Sequence, residues 1–289
     1  MARNLARIPA ASQALPCYTA RRVTSYRKRR LEPWVQRLRR IERSLRGGHV
    51  KRQRVYRVTV AGRDLKQIVF ADAAQAERTA ALLESLRETG LLPRKIARYA
   101  NELWVEFIDG AELDPRAQAP QSELAALFAT LYATGPRQPA DALALRAEVE
   151  GQLGLLRELG VLDQGLQRTL RGRALSGPPP PLWRGVDYLD ARPGNFLRDG
   201  GGRLRIIDLE SVAADEVQGT GAARAWLRWP GVSRDALVRE IARRGGPDLA
   251  PAAAFLELRF AASWTLRSLL MRKPKLVEPA LFRRLAAAE

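Results

Sequence analysis

Apolar and polar residues alternate along residues 54–60, which read Arg-Val-Tyr-Arg-Val-Thr-Val, and this period of two predicts a β-strand. A polar turn at residues 61–64 leads into a second apolar run, which predicts the partner strand of a hairpin. The period then changes within residues 76–86, because the leucines at positions 82, 83 and 86 share one helical face. This part of the chain is therefore predicted to combine short strands with one amphipathic helix.

Helical spacing dominates the second half of the chain. Residues 122–132 carry apolar positions at three- and four-residue steps, and Ser122 is the predicted N-cap. Residues 141–173 are leucine-rich and mostly helical in pattern, and helical spacing returns after residue 210. Residues 255–271 form an apolar run that predicts a core helix, and the basic tail at residues 272–275 is predicted to be exposed.

A further helical pattern lies near the start of the chain, at residues 31–45, where an apolar stripe containing Trp34 faces a row of arginines. Pro33 suits the first turn of such a helix, and the glycines at 47 and 48 would end it. A basic amphipathic helix of this kind can lie on an anionic membrane surface or dock on a protein core. The pattern leaves both interpretations open.

The composition is that of a globular protein: 289 residues, of which 46% are hydrophobic. No apolar run is long enough to predict a membrane-spanning helix, and residues 1–7 lack the apolar core of a secretory signal. The single cysteine, Cys17, permits no internal disulfide, and a reducing cytoplasm is the expected location. With one cysteine and one histidine, His49, the chain does not predict a zinc site of His and Cys ligands.

The charge is strongly positive and uneven. The formal net charge is +18, and residues 1–50 hold thirteen basic and two acidic side chains, which gives +11 in that segment alone. Such a field attracts anionic partners and repels cationic ones. Nucleic acid is one polyanion that arginine-rich segments bind non-specifically, but no recognised nucleic-acid motif accompanies these arginines. Specific nucleic-acid binding is therefore not expected.

The chain's most distinctive segment begins at Asp190, where Asp-Ala-Arg-Pro-Gly-Asn runs to Asn195 and an apolar pair follows. After a glycine-rich turn, a short apolar strand ends in Asp208. Phosphoryl transfer needs one carboxylate that orients the attacking hydroxyl, and an amide oxygen and a second carboxylate that hold Mg²⁺ against the phosphates. The spacing supplies these groups in that order.

These residues resemble the catalytic and metal-binding loops of the protein-kinase-like superfamily, in the branch of aminoglycoside phosphotransferases and lipopolysaccharide core kinases. The family loop reads His-Gly-Asp-Leu-His-Pro-Gly-Asn, and the metal strand ends Ile-Asp-x-Glu. The resemblance implies that Asp190 is the catalytic aspartate, that Asn195 and Asp208 are metal ligands, and that ATP and Mg²⁺ are used. It places Arg192 where a cation could meet the transferring phosphoryl group. Tyr188 departs from the family pattern, which usually has His there.

The resemblance extends over about residues 50–217 and implies an α+β, two-lobed protein-kinase-like fold. Residues 1–48 are then a basic extension with an amphipathic helix. Residues 49–109 are an N-lobe built on a small antiparallel sheet, and residues 110–289 are a larger, mainly helical C-lobe with the catalytic and metal loops. Residues 103–113 resemble the last N-lobe strand and the hinge. In such folds the hinge backbone pairs with adenine, which assigns nucleotide contacts to the residues named here: Glu106, Phe107 and Ile108.

The family also places a lysine on an N-lobe strand, where a helix glutamate holds it against the α- and β-phosphates. Lys66 is the only lysine in a strand-like run before the helix, and Glu77 is its expected partner, with Glu84 further along the same face. The alternative is that Lys66 is a solvated strand residue, as surface lysines usually are. No Gly-x-Gly-x-x-Gly loop precedes it.

The sequence therefore predicts an ATP- and Mg-dependent phosphotransferase that acts on a hydroxyl of a small or glycolipid substrate. The positive charge favours an anionic sugar, such as the lipopolysaccharide inner core, and disfavours polycationic aminoglycosides. Peripheral contact with the cytoplasmic face of the membrane would follow. Two alternatives remain: an atypical protein Ser/Thr kinase, and a pseudokinase adaptor at an anionic surface.

Overall fold

A computed structural model describes residues 54–114, 120–270 and 277–287. These residues form two compact units, and the boundary between the units lies between Asp109 and Gly110. The helix predicted at residues 31–45, the rest of the basic extension and the tail at 272–275 lie outside the described residues. No helix within the described residues is both long enough and apolar enough to span a membrane.

The first unit is a four-stranded antiparallel sheet with one helix. Its elements are β1 (Arg54–Val60), β2 (Arg63–Val69), α1 (Ala73–Ser85), β3 (Lys95–Tyr99) and β4 (Glu102–Glu106). The strand order is β1-β2-β4-β3, and α1 packs on β3 and β4. The predicted hairpin and helix are confirmed.

Local chemistry explains these elements. Ala61 and Gly62 at the β1–β2 turn both have positive φ, 49° and 78°, as a two-residue hairpin turn requires. Asp72 caps α1, where its side chain accepts a hydrogen bond of 2.7 Å from the Gln75 amide. The apolar face of the helix then buries Leu83 against the sheet core.

The second unit is mainly helical. Its helices are α2 (Gln121–Ala133), α3 (Ala142–Glu158), α4 (Gln164–Leu175), α5 (Thr220–Arg228), α6 (Arg234–Arg243), α7 (Ala253–Leu270) and α8 (Pro279–Ala287). Short 3₁₀ turns occur in both units, at Arg87–Thr89, Pro193–Asn195, Leu209–Ser211 and Ala250–Ala252. The predicted cap of α2 was wrong: the helix follows Pro120, and the Ser122 hydroxyl instead accepts a 2.9 Å hydrogen bond from Arg244.

Two small antiparallel sheets complete the second unit. Their strands are β5 (Gly110–Glu112), β6 (Gln138–Pro139), β7 (Trp183–Tyr188), β8 (Phe196–Asp199), β9 (Leu204–Ile206) and β10 (Val212–Val217). The orders are β5-β8-β9 and β10-β7-β6, so the segment between β7 and β8 connects one sheet to the other. Phe196 packs edge-on against Tyr188, with ring centroids 5.5 Å apart, and both rings are fully buried.

The start of α5 lies directly against the end of β7. A Cβ atom at Gly221 would lie 1.9 Å from the carbonyl oxygen of Tyr188 and 2.8 Å from Oδ1 of Asp187. Only glycine permits this approach, because the first obstacle is a backbone carbonyl rather than a flexible side chain.

Gly221→Ala is therefore expected to destabilise the protein by about 3 kcal/mol, the upper part of the range for overpacked cores. The control is Gly172→Ala in α4, where an added Cβ meets nothing within 4 Å. That change is expected to stabilise the protein by about 0.5–1 kcal/mol, since alanine is the better helix former. Urea unfolding of both variants tests this, and a Gly221→Ala variant as stable as the wild type would contradict it.

Candidate active site

The loop after β7 is a compact turn held by backbone hydrogen bonds. The amide of Leu189 donates to Ser211 O at 2.8 Å, and the amide of Asn195 donates to Arg192 O at 3.0 Å. Pro193 opens the 3₁₀ turn that ends at Asn195, where β8 follows. The turn brings Asp190 and Asn195 face to face across five positions of sequence.

Asn195 binds Asp190 through its amide nitrogen. Nδ2 donates to the backbone oxygen of Asp190 at 2.8 Å and to its carboxylate oxygen Oδ2 at 2.9 Å. Both hydrogen bonds use the N–H groups of the amide, so the amide oxygen of Asn195 is the atom that could act as a metal ligand. The side chain of Asp190 is 22% exposed, while Asn195 is buried.

Two guanidinium groups flank the Asp190 carboxylate. Nε of Arg192 lies 3.2 Å from Oδ2, and Nη2 of Arg224 lies 2.5 Å from Oδ1. The Arg192 side chain is 56% exposed, whereas that of Arg224 is only 8% exposed. Burial lowers the pKa of Arg224; Asp190 opposes this effect, and the charges of Arg192 and Arg228 add to it.

Arg224 was not predicted as a site residue from the sequence. The signal available in the sequence was one arginine within a run of small and apolar residues at 221–226, all of which the structure buries in α5. A charged side chain inside a buried stretch needs a partner, and here that partner is Asp190.

Asp208 reaches the same loop through the β8–β9 hairpin. Phe196 pairs with Ile206, and the amide of Ile207 donates to Asn195 O at 3.0 Å, so Asp208 follows directly beside Asn195. Its Oδ2 accepts a hydrogen bond from the Ser211 hydroxyl at 3.3 Å. The register of one short hairpin therefore places both predicted metal ligands at its end.

The donor set suits magnesium. A carboxylate and an amide oxygen are hard ligands, and Mg²⁺ is usually bound by one or two protein carboxylates, with substrate phosphates and water completing its shell. Residues 54–114, 120–270 and 277–287 contain no cluster of three or more His, Cys, Asp or Glu side chains that could hold a metal ion.

Tyr188 occupies the position where the resemblance led us to expect His. The side chain is fully buried; burial raises the pKa of its hydroxyl, and the negative charges of Asp208 and Asp190 raise it further. The tyrosine therefore fills the interior side of the loop. Asp190, Asn195 and Asp208 are brought together beside it.

A second aspartate, Asp187, anchors the end of β7 and is fully buried. Its Oδ1 accepts hydrogen bonds from the Tyr132 hydroxyl at 3.1 Å and from the Tyr188 amide at 2.7 Å. Its Oδ2 accepts a 3.0 Å bond from the Gly221 amide at the start of α5. The carboxyl thus ties the end of β7, and the loop of residues 189–195 that follows it, to two helices.

Burial raises the pKa of Asp187 to about 7 from an ordinary value of 3.8. Between these values the native state binds more protons than the unfolded state, so this group's contribution to stability is fully present below pH 3.8 and is lost as the pH rises to about 7. The difference in unfolding free energy between the wild type and Asp187→Asn is expected to fall over that window by up to about 4 kcal/mol. Urea unfolding across the window measures it, and a pH-independent difference would contradict the assignment.

The predicted nucleotide residues of the first unit are placed as follows. Lys66 lies in β2 and is partly buried, and Glu77 lies on the exposed side of α1. An ion pair in this unit joins Glu84 of α1 to Lys95 of β3 at 2.8 Å. Because Lys95 engages Glu84, Glu77 stays the predicted partner of Lys66.

The predicted hinge begins where β4 ends. Glu106 donates its amide to Arg94 O at 2.8 Å, and its Oε2 accepts a 3.1 Å bond from the Arg94 amide. The guanidinium carbon of Arg57 lies 4.1 Å from the centroid of the Phe107 ring, and Ile108 is buried. Adenine pairing by these residues stays a prediction.

No protein-family model matches this chain, and no curated protein has a matching sequence. Solved structures, however, share its fold. A macrolide 2'-phosphotransferase type I is 15% identical, with a TM-score of 0.57, and the match covers 90% of this chain and 99% of that one. The choline kinase of Streptococcus pneumoniae is 15% identical, with a TM-score of 0.54 over 87% of this chain and 97% of the kinase.

A putative fructosamine-3-kinase from Thermobifida fusca is 20% identical, with a TM-score of 0.55 over 83% of this chain and 92% of that chain. All three structures bear the names of kinases or phosphotransferases that act on small molecules. The chain has the α+β, two-lobed protein-kinase-like fold, in the form shared by macrolide and aminoglycoside phosphotransferases and by choline kinases.

Proposed function

We propose that this protein is a phosphotransferase that moves the γ-phosphoryl group of ATP to a hydroxyl of a small or glycolipid substrate. The assembly of Asp190, Asn195 and Asp208 at one loop and hairpin carries the proposal. The protein-kinase-like fold that the chain shares with solved phosphotransferases and kinases supports it. A pseudokinase adaptor would not require this set of oxygen ligands.

In this proposal, Asp190 orients the acceptor hydroxyl. Its carboxylate accepts the hydroxyl proton as the hydroxyl oxygen bonds to the γ-phosphorus and the bond from that phosphorus to ADP breaks. Asn195 and Asp208 would hold Mg²⁺ through their side-chain oxygens. The metal, when bound, supplies positive charge to the phosphate oxygens.

Cations from the protein complete the scheme. Arg192 is exposed and carries a planar fork suited to phosphate, so we assign it to the transferring phosphoryl group. Lys66, held by Glu77, is assigned to the α- and β-phosphates. The backbone of Glu106, Phe107 and Ile108 is assigned to adenine.

A small or glycolipid acceptor is favoured over a protein. Only residues 209–219 separate Asp208 from α5, and β10 occupies half of that stretch. A protein kinase needs a long segment at this place to seat its peptide and to control activation. The short connection therefore argues against the alternative of an atypical protein kinase.

An anionic acceptor is favoured by the charges around Asp190. Arg192 and Arg224 pair with it, whereas Arg228 pairs with Glu278. Two guanidinium groups beside one carboxylate leave a net positive charge, which repels a polycation and attracts a phosphorylated or acidic sugar. We therefore infer an anionic sugar acceptor, such as the lipopolysaccharide inner core, and a role in lipopolysaccharide biosynthesis.

The test is transfer of radiolabelled γ-phosphate from ATP to a panel of acceptors by the full chain. The panel contains an anionic inner-core glycolipid, its dephosphorylated form, a polycationic aminoglycoside and a basic protein. We expect labelling of the anionic glycolipid, weaker labelling of the dephosphorylated form, and none with Asp190→Asn. Preferential labelling of the aminoglycoside or of the protein would overturn the assignment of the acceptor.

A further inference from the structure

Arg224 is a buried arginine that points at the catalytic loop from α5. Its Nη2 lies 2.5 Å from Oδ1 of Asp190, and its guanidinium carbon lies 4.3 Å from the ring centroid of Trp264 and 5.6 Å from that of Phe260. One edge of the guanidinium therefore faces a carboxylate, while aromatic rings of α7 lie against it. Burying an ion pair is often no better for stability than packing a hydrophobic residue, so stability alone does not explain this arginine.

The two oxygens of the Asp190 carboxylate have different surroundings. Oδ1 is buried and, within the part of the chain that the structure describes, accepts no aligned hydrogen bond, so Arg224 holds it as a close charge contact. Oδ2 meets the Asn195 amide at 2.9 Å and Nε of Arg192 at 3.2 Å. The Arg192 side chain is 56% exposed and can leave Oδ2 without disturbing the core.

We propose that Arg224 is a positioning residue that fixes the Asp190 carboxylate, so that Oδ2 is the oxygen that receives the acceptor hydroxyl. Arg224 anchors Oδ1 from inside, and Asn195 holds the other oxygen from the loop. Arg192 covers Oδ2 in the free protein and must move aside before a hydroxyl can approach. This inference rests on the proposed phosphotransferase function, because it assigns a role in that reaction.

A positioning role differs from a packing role in what it changes. If Arg224 acts through Asp190, its loss lowers kcat and leaves ATP binding intact, since within the described residues no hydrogen bond or ion pair joins Arg224 to Asn195 or Asp208. If Arg224 only fills space between α5 and α7, its loss lowers stability and leaves the kcat of the folded fraction unchanged.

The first experiment compares the wild type with Arg224→Gln and Arg224→Lys in steady-state ATP turnover with the anionic glycolipid acceptor. We expect kcat to fall about 10²-fold in Arg224→Gln, with the KM for ATP changed by no more than about twofold. Arg224→Lys retains the positive charge, and its kcat is expected to be about tenfold higher than that of Arg224→Gln. Its milder change also keeps the test valid should the glutamine variant fold poorly.

A matched control is Arg259→Gln in α7. Arg259 is also largely buried, with 12% of its side chain exposed, and it pairs at 3.1 Å with Glu216 rather than with Asp190. Arg259→Gln removes a comparable ion pair, so its kcat shows the general effect of losing a buried arginine in this unit. We expect its kcat to stay at the wild-type value.

The second experiment is a double-mutant cycle with Asp190→Asn. In the wild type, Arg224→Gln is expected to lower kcat by about 10²-fold. If Arg224 works through Asp190, the same change made in Asp190→Asn lowers the residual kcat by less than about threefold. A full additional 10²-fold loss in the Asp190→Asn background would overturn the positioning role, as would wild-type kcat in Arg224→Gln.

The outcomes also separate the two proposals. A wild-type protein that neither turns over ATP nor gains stability from Mg-ATP overturns the proposed function, and this inference with it. A wild-type protein that is active while Arg224→Gln has unchanged kcat overturns only the role of Arg224.

Discussion

Replacing Asp208 with alanine is expected to abolish phosphoryl transfer, with ATP turnover falling by about 10³-fold or more. Asp208 and Asn195 are the predicted metal ligands, and Asp208 is the one that carries negative charge. Without it, an amide oxygen alone would face the cation, which is too weak a set to hold Mg²⁺ against the phosphates. A coupled assay of ADP release under saturating Mg-ATP measures the effect.

Asp235→Ala is the matched control for this change. Asp235 is an exposed aspartate in the first turn of α6, where it pairs with Arg234 at 2.8 Å. Its removal changes the net charge by the same amount at a place away from the loop, so turnover should stay at the wild-type level. Equal losses in the two variants would assign the effect of Asp208→Ala to charge or folding rather than to metal binding.

Asp190→Asn is expected to lower kcat by about 10²- to 10⁴-fold while the KM for ATP stays nearly constant. The amide keeps the size of the carboxylate but does not accept the hydroxyl proton. It also leaves Arg224 facing a neutral group, so the variant should unfold more easily than the wild type. Steady-state kinetics and urea unfolding of the same preparation separate the two effects.

The contrast between the two variants tests the assignment of roles. Asp208→Ala should lose Mg-dependent ATP binding, whereas Asp190→Asn should retain it because the role proposed for Asp190 is to orient the acceptor. If both variants lose ATP binding equally, the division into a hydroxyl-orienting residue and a metal ligand is wrong.

Elements specified by local pattern could be predicted from the sequence. The β1–β2 hairpin was expected because its alternation and turn residues lie within residues 54–69, and α1 was expected from its leucine face. The loop at Asp190 and the β8–β9 hairpin could be predicted for the same reason, since Asp190 and Asp208 are close in the sequence. The boundaries differed by a few residues, as with α7, which the structure places at Ala253–Leu270.

Contacts between distant segments could not be predicted. Arg224 and Asp190 form an ion pair although they lie on separate elements, and the sequence around one residue does not predict the other as its partner. The same holds for Asp187, whose partners include Tyr132 of α2 and Gly221 of α5. These contacts depend on how the helices pack around β7, which a one-dimensional pattern does not encode.

The measurement that tests the account most directly is the thermal unfolding midpoint of the wild type with ATP, with Mg-ATP and without ligand, alongside that of Asp208→Ala. A ligand at about 100 times its Kd stabilises the folded state by about 2.7 kcal/mol, which corresponds to a shift of about 5–10 °C for a domain of this size. We expect that shift for the wild type with Mg-ATP, a smaller shift with ATP alone, and no Mg-dependent gain in Asp208→Ala. An unchanged midpoint of the wild type in saturating Mg-ATP would contradict the proposed nucleotide and metal site.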